Sequence, residues 1–93
     1  MIERVWECIV RNQGKEFQQI RGKIFTYKIK GNSISLDTTN YTIPKSHIEK
    51  ALSRYPFENT TVIQDLIAPS YIYAIMMDEK VRKIITEKTR SVE

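Results

Sequence analysis

Cysteine is almost missing from this chain: Cys8 stands alone among 93 residues. A single thiol excludes an internal disulfide and suits a reducing compartment. Histidine is equally scarce, with only His47. One thiol and one imidazole do not make a zinc site, and no cluster of carboxylates makes up the deficit, so no metal is expected. The three glycines, Gly14, Gly22 and Gly31, lie far apart. Each falls at a turn or a helix end, which leaves no glycine-rich loop to cradle a phosphate and no cofactor signature. The longest apolar run, Tyr71 to Met77, is far short of the roughly 20 residues that span a bilayer. Glu3 and Arg4 follow Met1 at once, unlike the opening of a signal peptide. These shortages predict a soluble, cytoplasmic protein that needs no membrane.

Catalytic machinery is missing as well. A nucleophile needs an activating base, and Cys8 lies on a helical pattern with no histidine near it in sequence. Asp78 and Glu79 are adjacent, so on a helix they diverge. Each also has a basic residue four positions on, Arg82 and Lys83, in the order that suits a solvated helix face. The chain is therefore expected not to be an enzyme.

What remains is ordinary globular composition, with 41% apolar and 28% charged residues. At this length it predicts one folded domain over residues 1–93. Ile2, Val5, Trp6, Ile9 and Val10 recur at helical spacing, which predicts a helix from about Ile2 to Asn12 closed by Gly14. Trp6 belongs to its apolar stripe and is expected in the core. Lys15 to Asp37 then reads as three short antiparallel strands. A three-residue loop, Arg21-Gly22-Lys23, would set Ile20 against Ile24 and Phe17 against Tyr27. A two-residue turn at Gly31-Asn32 sets Ile29 against Ile34 and Tyr27 against Leu36. Alternation puts Phe17, Phe25, Tyr27, Ile29, Ile34 and Leu36 on one face as candidate core.

Thr38 to Ile43 is either a fourth strand or an extended linker. Ser46 and Glu49 match a capping box before a helix carrying Ile48, Ala51, Leu52 and Tyr55, which Pro56 ends. Thr60 or Thr61 is placed to cap a third helix. A last helix is expected from Ser70 to about Lys88, with a frayed tail beyond it. The fold class is α+β: a small single domain in the order α-β-β-β-(β)-α-α-α, with a three-stranded antiparallel meander packed on one face by N-terminal and C-terminal helices.

The element order helix, three strands, helix resembles that of the double-stranded-RNA-binding domain. That family begins its second helix with several lysines, whereas Pro44-Lys45-Ser46-His47 offers one. The resemblance covers element order and no motif.

Charge gives the functional lead. The formal net charge is +4. All of that excess lies between Lys15 and Lys30, where Lys15, Arg21, Lys23, Lys28 and Lys30 face the single acid Glu16. Interleaved with them on the polar face are Gln18, Thr26, Ser33 and Ser35, groups that commonly contact phosphate. This pattern makes Lys15, Arg21, Lys23, Thr26, Lys28 and Lys30 candidate nucleic-acid contacts, with Tyr41 the one tyrosine free to stack. The same lysines could instead blunt a sheet edge. A protein-interaction module is the alternative. It would self-associate as a homodimer through the C-terminal helix at Ile72 and Met76, or dock a partner through Ile20 and Ile24 set in a charged rim.

Overall fold

The computed structural model describes residues 2–91, with side chains to residue 86. Its first element, α1 (Ile2–Arg11), buries Val5, Trp6, Cys8 and Ile9 along one stripe, as the spacing predicts. Gly14 ends the helical turn at φ +85°, a conformation that favours glycine. The exit from α1 has a second task. The Gly14 N–H donates to the Tyr27 carbonyl at 2.9 Å, and the Gln13 Oε1 accepts from the Ile29 N–H at 2.9 Å. Both bonds cover the edge of a strand that would otherwise be open.

The strands form two sheets rather than one meander. β1 (Phe17–Gln18) pairs with β2 (Ile24–Phe25), and β3 (Tyr27–Lys30), β4 (Ser33–Leu36) and β5 (Thr42–Pro44) form a three-stranded antiparallel sheet in sequence order. The Gly31-Asn32 turn sets Tyr27 opposite Leu36 and Ile29 opposite Ile34, the expected register. The first hairpin differs, with Phe17 opposite Phe25 and Gln18 opposite Ile24. Its loop is three residues long but is Ile20-Arg21-Gly22. The Gln19 N–H donates to the Lys23 carbonyl at 2.8 Å, and the Gly22 N–H to the Gln19 carbonyl at 2.8 Å. In such a loop the left-handed position is the third, and Gly22 occupies it at φ +93°. Centring the loop on the glycine placed it one residue late.

Thr26 separates the sheets. Its N–H is taken by the Asp37 carboxylate at 2.9 Å, in place of a strand carbonyl, while the Asp37 N–H returns to the Thr26 carbonyl at 3.1 Å. Side-chain competition of this kind ends a ladder and lets the chain bend.

Thr38 to Ile43 resolves into a loop followed by β5, which runs straight into α2 (Lys45–Ser53). No capping box forms. Pro44, extended at φ −72° and ψ 151° and paired with Ser33, is itself the N-cap, so Ser46 already lies inside the helix. The expected third helix is a short 3₁₀ helix (Thr60–Ile63), capped by Asn59 rather than a threonine; the Asn59 Oδ1 accepts from the Thr61 N–H at 2.8 Å. Arg54 at the end of α2 ties this segment down, bonding both Asp65 carboxylate oxygens at 2.6 and 3.1 Å and the Val62 carbonyl at 3.0 Å.

The long final helix is two. α3 (Pro69–Met77) begins after left-handed Ala68, with Pro69 rather than a Ser70 cap at its start. Asp78 leaves the helical region at ψ 140°, and its carboxylate accepts the Lys80 N–H at 2.9 Å, which caps α4 (Glu79–Ser91). Among the described residues neither Asp78/Arg82 nor Glu79/Lys83 forms an ion pair; Asp78 pairs with Lys80 at 3.2 Å. α4 continues past Lys88 to Ser91, so of the tail expected to fray, Thr89 to Glu93, residues Thr89 to Ser91 are helical, and Val92 and Glu93 lie outside the described residues.

The core lies between the inner face of the strands and the helices. Phe17 packs on Phe25 and Tyr27 with ring centroids 5.9 and 5.2 Å apart, and Phe25 meets Tyr71 edge-on at 4.8 Å. Tyr27 is buried, and its hydroxyl donates to the Ile9 carbonyl at 2.7 Å, linking the sheet to α1. Ile72 and Met76 are fully buried within the single chain, so they are not an exposed seam. α3 is apolar nearly all round because 3₁₀ helix, α2, α4 and β1 all contact it. Among the described residues no helix is long and apolar enough to cross a membrane.

Candidate nucleic-acid interface

Strand alternation turns Phe25, Tyr27 and Ile29 inward, so Thr26, Lys28 and Lys30 point outward. The registers then define rows across the outer face of the three-stranded sheet. One row is Lys28, Ser35 and Thr42; the next is Lys30, Ser33 and Pro44. Two residues along a strand separate Lys28 from Lys30 by about 6.7 Å, and two strand spacings put Thr42 about 10 Å from Lys28. Lys28, Lys30 and Thr42 are exposed and Ser33 and Ser35 half-buried. Neither lysine is held in an ion pair among the described residues. The one acid that alternation puts on this face, Asp37, has its carboxylate engaged by the Thr26 N–H.

The six sequence candidates are spread over the first hairpin, the three-stranded sheet with the bend before it, and the turn after α1. Lys28 and Lys30 share the face with Thr26, which sits at the bend. Arg21 and Lys23 belong to the first hairpin, beyond that bend. Arg21 lines a cleft of about 510 Å³ with Gln19, Ile20, Thr60 and Ser70. The Lys23 ammonium lies 5.9 Å from the centre of the Tyr71 ring, within cation–π range. Lys15 is in the turn after α1 and in no strand. Thr42 was missed because Thr38 to Ile43 read equally well as a linker; the alternation of Thr42, Ile43 and Pro44 was the available signal.

Ile20 and Ile24 are not opposed. Ile20 is at the loop tip and 71% exposed, and Ile24 lies opposite Gln18 and is 52% exposed. Replacing both with Thr removes no packed core. The melting temperature should stay within about 4 °C of wild type, since exposed substitutions cost about 0.5 kcal/mol or less. A drop of about 10 °C or more in a thermal melt would mean that the pair is buried.

Cys8 and His47 are not partners. The Cys8 thiol donates to the Lys80 carbonyl at 3.4 Å and lies in the core, where burial pushes its pKa up. The His47 Nδ1 accepts the Ile67 N–H at 3.0 Å, pinning the segment before α3 to α2. Among the described residues no group of three or more His, Cys, Asp or Glu could hold a metal ion. The chain matches no protein-family model, no curated protein and no solved structure.

Proposed function

We propose that the protein is a small, non-enzymatic nucleic-acid-binding protein whose contacts run through the outer face of β3, β4 and β5. The observation that carries this reading is the arrangement of Lys28 and Lys30. Two cations, unpaired among the described residues, stand one pleat apart, with Ser33, Ser35 and Thr42 beside them across the sheet. Cations supply the attraction to phosphate, and hydroxyls donate hydrogen bonds that set register without reading sequence. Burial pushes the Cys8 thiol pKa up and the His47 Nδ1 accepts the Ile67 N–H, so this thiol and this imidazole are not poised as a nucleophile and its base. Under this reading the protein works in the cytoplasm as a single domain without metal or cofactor.

Fluorescence anisotropy of a labelled oligonucleotide across a salt series tests it. The logarithm of affinity should fall linearly with the logarithm of salt. The slope should be about −0.7 per phosphate contact on a single strand and −0.9 on duplex DNA. No binding at low salt, or a flat salt response, would overturn the proposal.

A second reading rests on Ile20 and Ile24, two large apolar side chains left exposed on either side of Arg21 and Lys23 in the first hairpin. That is the composition of a protein contact. It would be favoured if their replacement by Thr weakened capture of a protein partner and left oligonucleotide affinity unchanged.

A further inference from the structure

A cleft of about 650 Å³ opens where β5 begins, and its lining includes Asn40, Tyr41, Thr42, Ile67 and Pro69. We infer that this cleft receives an unstacked base of a single-stranded nucleic acid whose phosphates lie along the Lys28 row of the sheet. The inference rests on the nucleic-acid reading and adds to it the strandedness of the ligand and the site of its base.

Continuity is the first argument. Thr42 belongs both to the cleft and to the row that holds Lys28 and Ser35. A chain lying on that row reaches the cleft within about 10 Å, the width of two strand spacings. The second argument is the chemistry of the walls. A nucleobase has apolar faces and a polar edge. Tyr41 offers a ring that is 60% exposed although it lies in a folded region, and Ile67 is a large apolar side chain left 38% exposed in the same cleft. The Asn40 side chain carries both a donor and acceptors, so it can meet the edge of any base. Single-stranded nucleic acid is held in this way, by aromatic stacking beside a cationic track; a base locked in a duplex cannot enter such a cleft.

Charge does not oppose this path: the cleft at Tyr41 has no acid in its lining, whereas the cleft of about 610 Å³ beside Ser33 and Pro44 mixes Glu3 and Glu49 with Lys45. Tyr41 itself has no core role to set against this one. Its backbone N–H bonds the Thr39 hydroxyl at 3.4 Å, and its ring takes no part in the aromatic contacts of the core.

The test compares three probes at one salt concentration, a short mixed-sequence single strand, its duplex and the same single strand with abasic sites, and repeats the intact strand against Tyr41→Ala and Tyr41→Phe. The single strand should bind about tenfold more tightly than the duplex. Abasic substitution and Tyr41→Ala should each cost about tenfold, the scale of one stacked base. Tyr41→Phe should keep the affinity, since it keeps the ring. Circular dichroism should show all variants folded. Equal binding of duplex and single strand, an abasic strand that binds as tightly as the intact one, or a Tyr41→Ala protein of undiminished affinity would overturn the base cleft. Each of those results leaves salt-dependent binding through Lys28 and Lys30 in place. No binding to any probe at low salt overturns that reading as well.

Discussion

Met76→Asp should unfold the protein. Met76 is fully buried on α3, among Ile72, Ile75 and Tyr71 of its own helix and the side chains of the elements packed round it. Removing its apolar body costs about 2–5 kcal/mol, as in other large-to-small core changes. An unpaired carboxylate in that setting adds several more, or stays protonated at a comparable cost. The whole stability of a domain this size is about 5–14 kcal/mol. Far-ultraviolet circular dichroism at 25 °C should therefore show loss of helix, and the same holds for Ile72→Asp. Met76→Leu, close in volume, should cost less than about 1.5 kcal/mol. The sequence reading expected a different outcome, a folded monomer released from a dimer. A Met76→Asp protein that stays folded while wild type sediments as a dimer would restore that seam and contradict the burial described here.

Tyr71 to Met77 is apolar on every side, and one small sheet looks too small to cover it. Burial was thus legible, but its partner was not. The cover comes from elements the sequence describes poorly: a 3₁₀ helix whose threonines suggested an ordinary helix, and α2, which approaches because Pro44 carries the chain from strand to helix without a linker. The break at Asp78 was also hidden. Continuous helical periodicity across Met77 and Val81 masked a residue that is a good N-cap; its ψ of 140° and the Lys80 N–H bonded to its carboxylate show that it acts as one.

Elements set by local chemistry were read correctly. The stripe from Ile2 to Val10 folds as α1, Gly14 closes it, and Gly31-Asn32 gives the second hairpin its register. The first hairpin needed more than its glycine, because a three-residue loop seats glycine last, and Phe17 therefore faces Phe25. For the candidate site, the outward projection of Lys28 and Lys30 followed from alternation alone. The separation of Arg21 and Lys23 from them did not. It depends on the Asp37 carboxylate reaching back to Thr26, a contact eleven residues apart that no local pattern announces.

Reversing Lys28 and Lys30 tests the central claim most directly. Both side chains are exposed and unpaired among the described residues, so Lys28→Glu with Lys30→Glu removes no packing and breaks no ion pair. β3 keeps its partners on both sides, since its hydrogen bonds run through the backbone and the Gln13 side chain. The melting temperature should move by only a few degrees. Binding should respond in the opposite way. Two cations facing phosphate become two anions, and affinity for a single-stranded oligonucleotide at low salt should fall roughly a hundredfold or more. The residual salt slope should be shallower by about 1.4, from two lost contacts at about 0.7 each. The measurement is an anisotropy titration of wild type and the double variant across a salt series, with thermal melts of both. The account predicts lost binding and a flattened slope in a protein that melts like wild type. A double variant that melts like wild type and binds with undiminished affinity and an unchanged slope would contradict it.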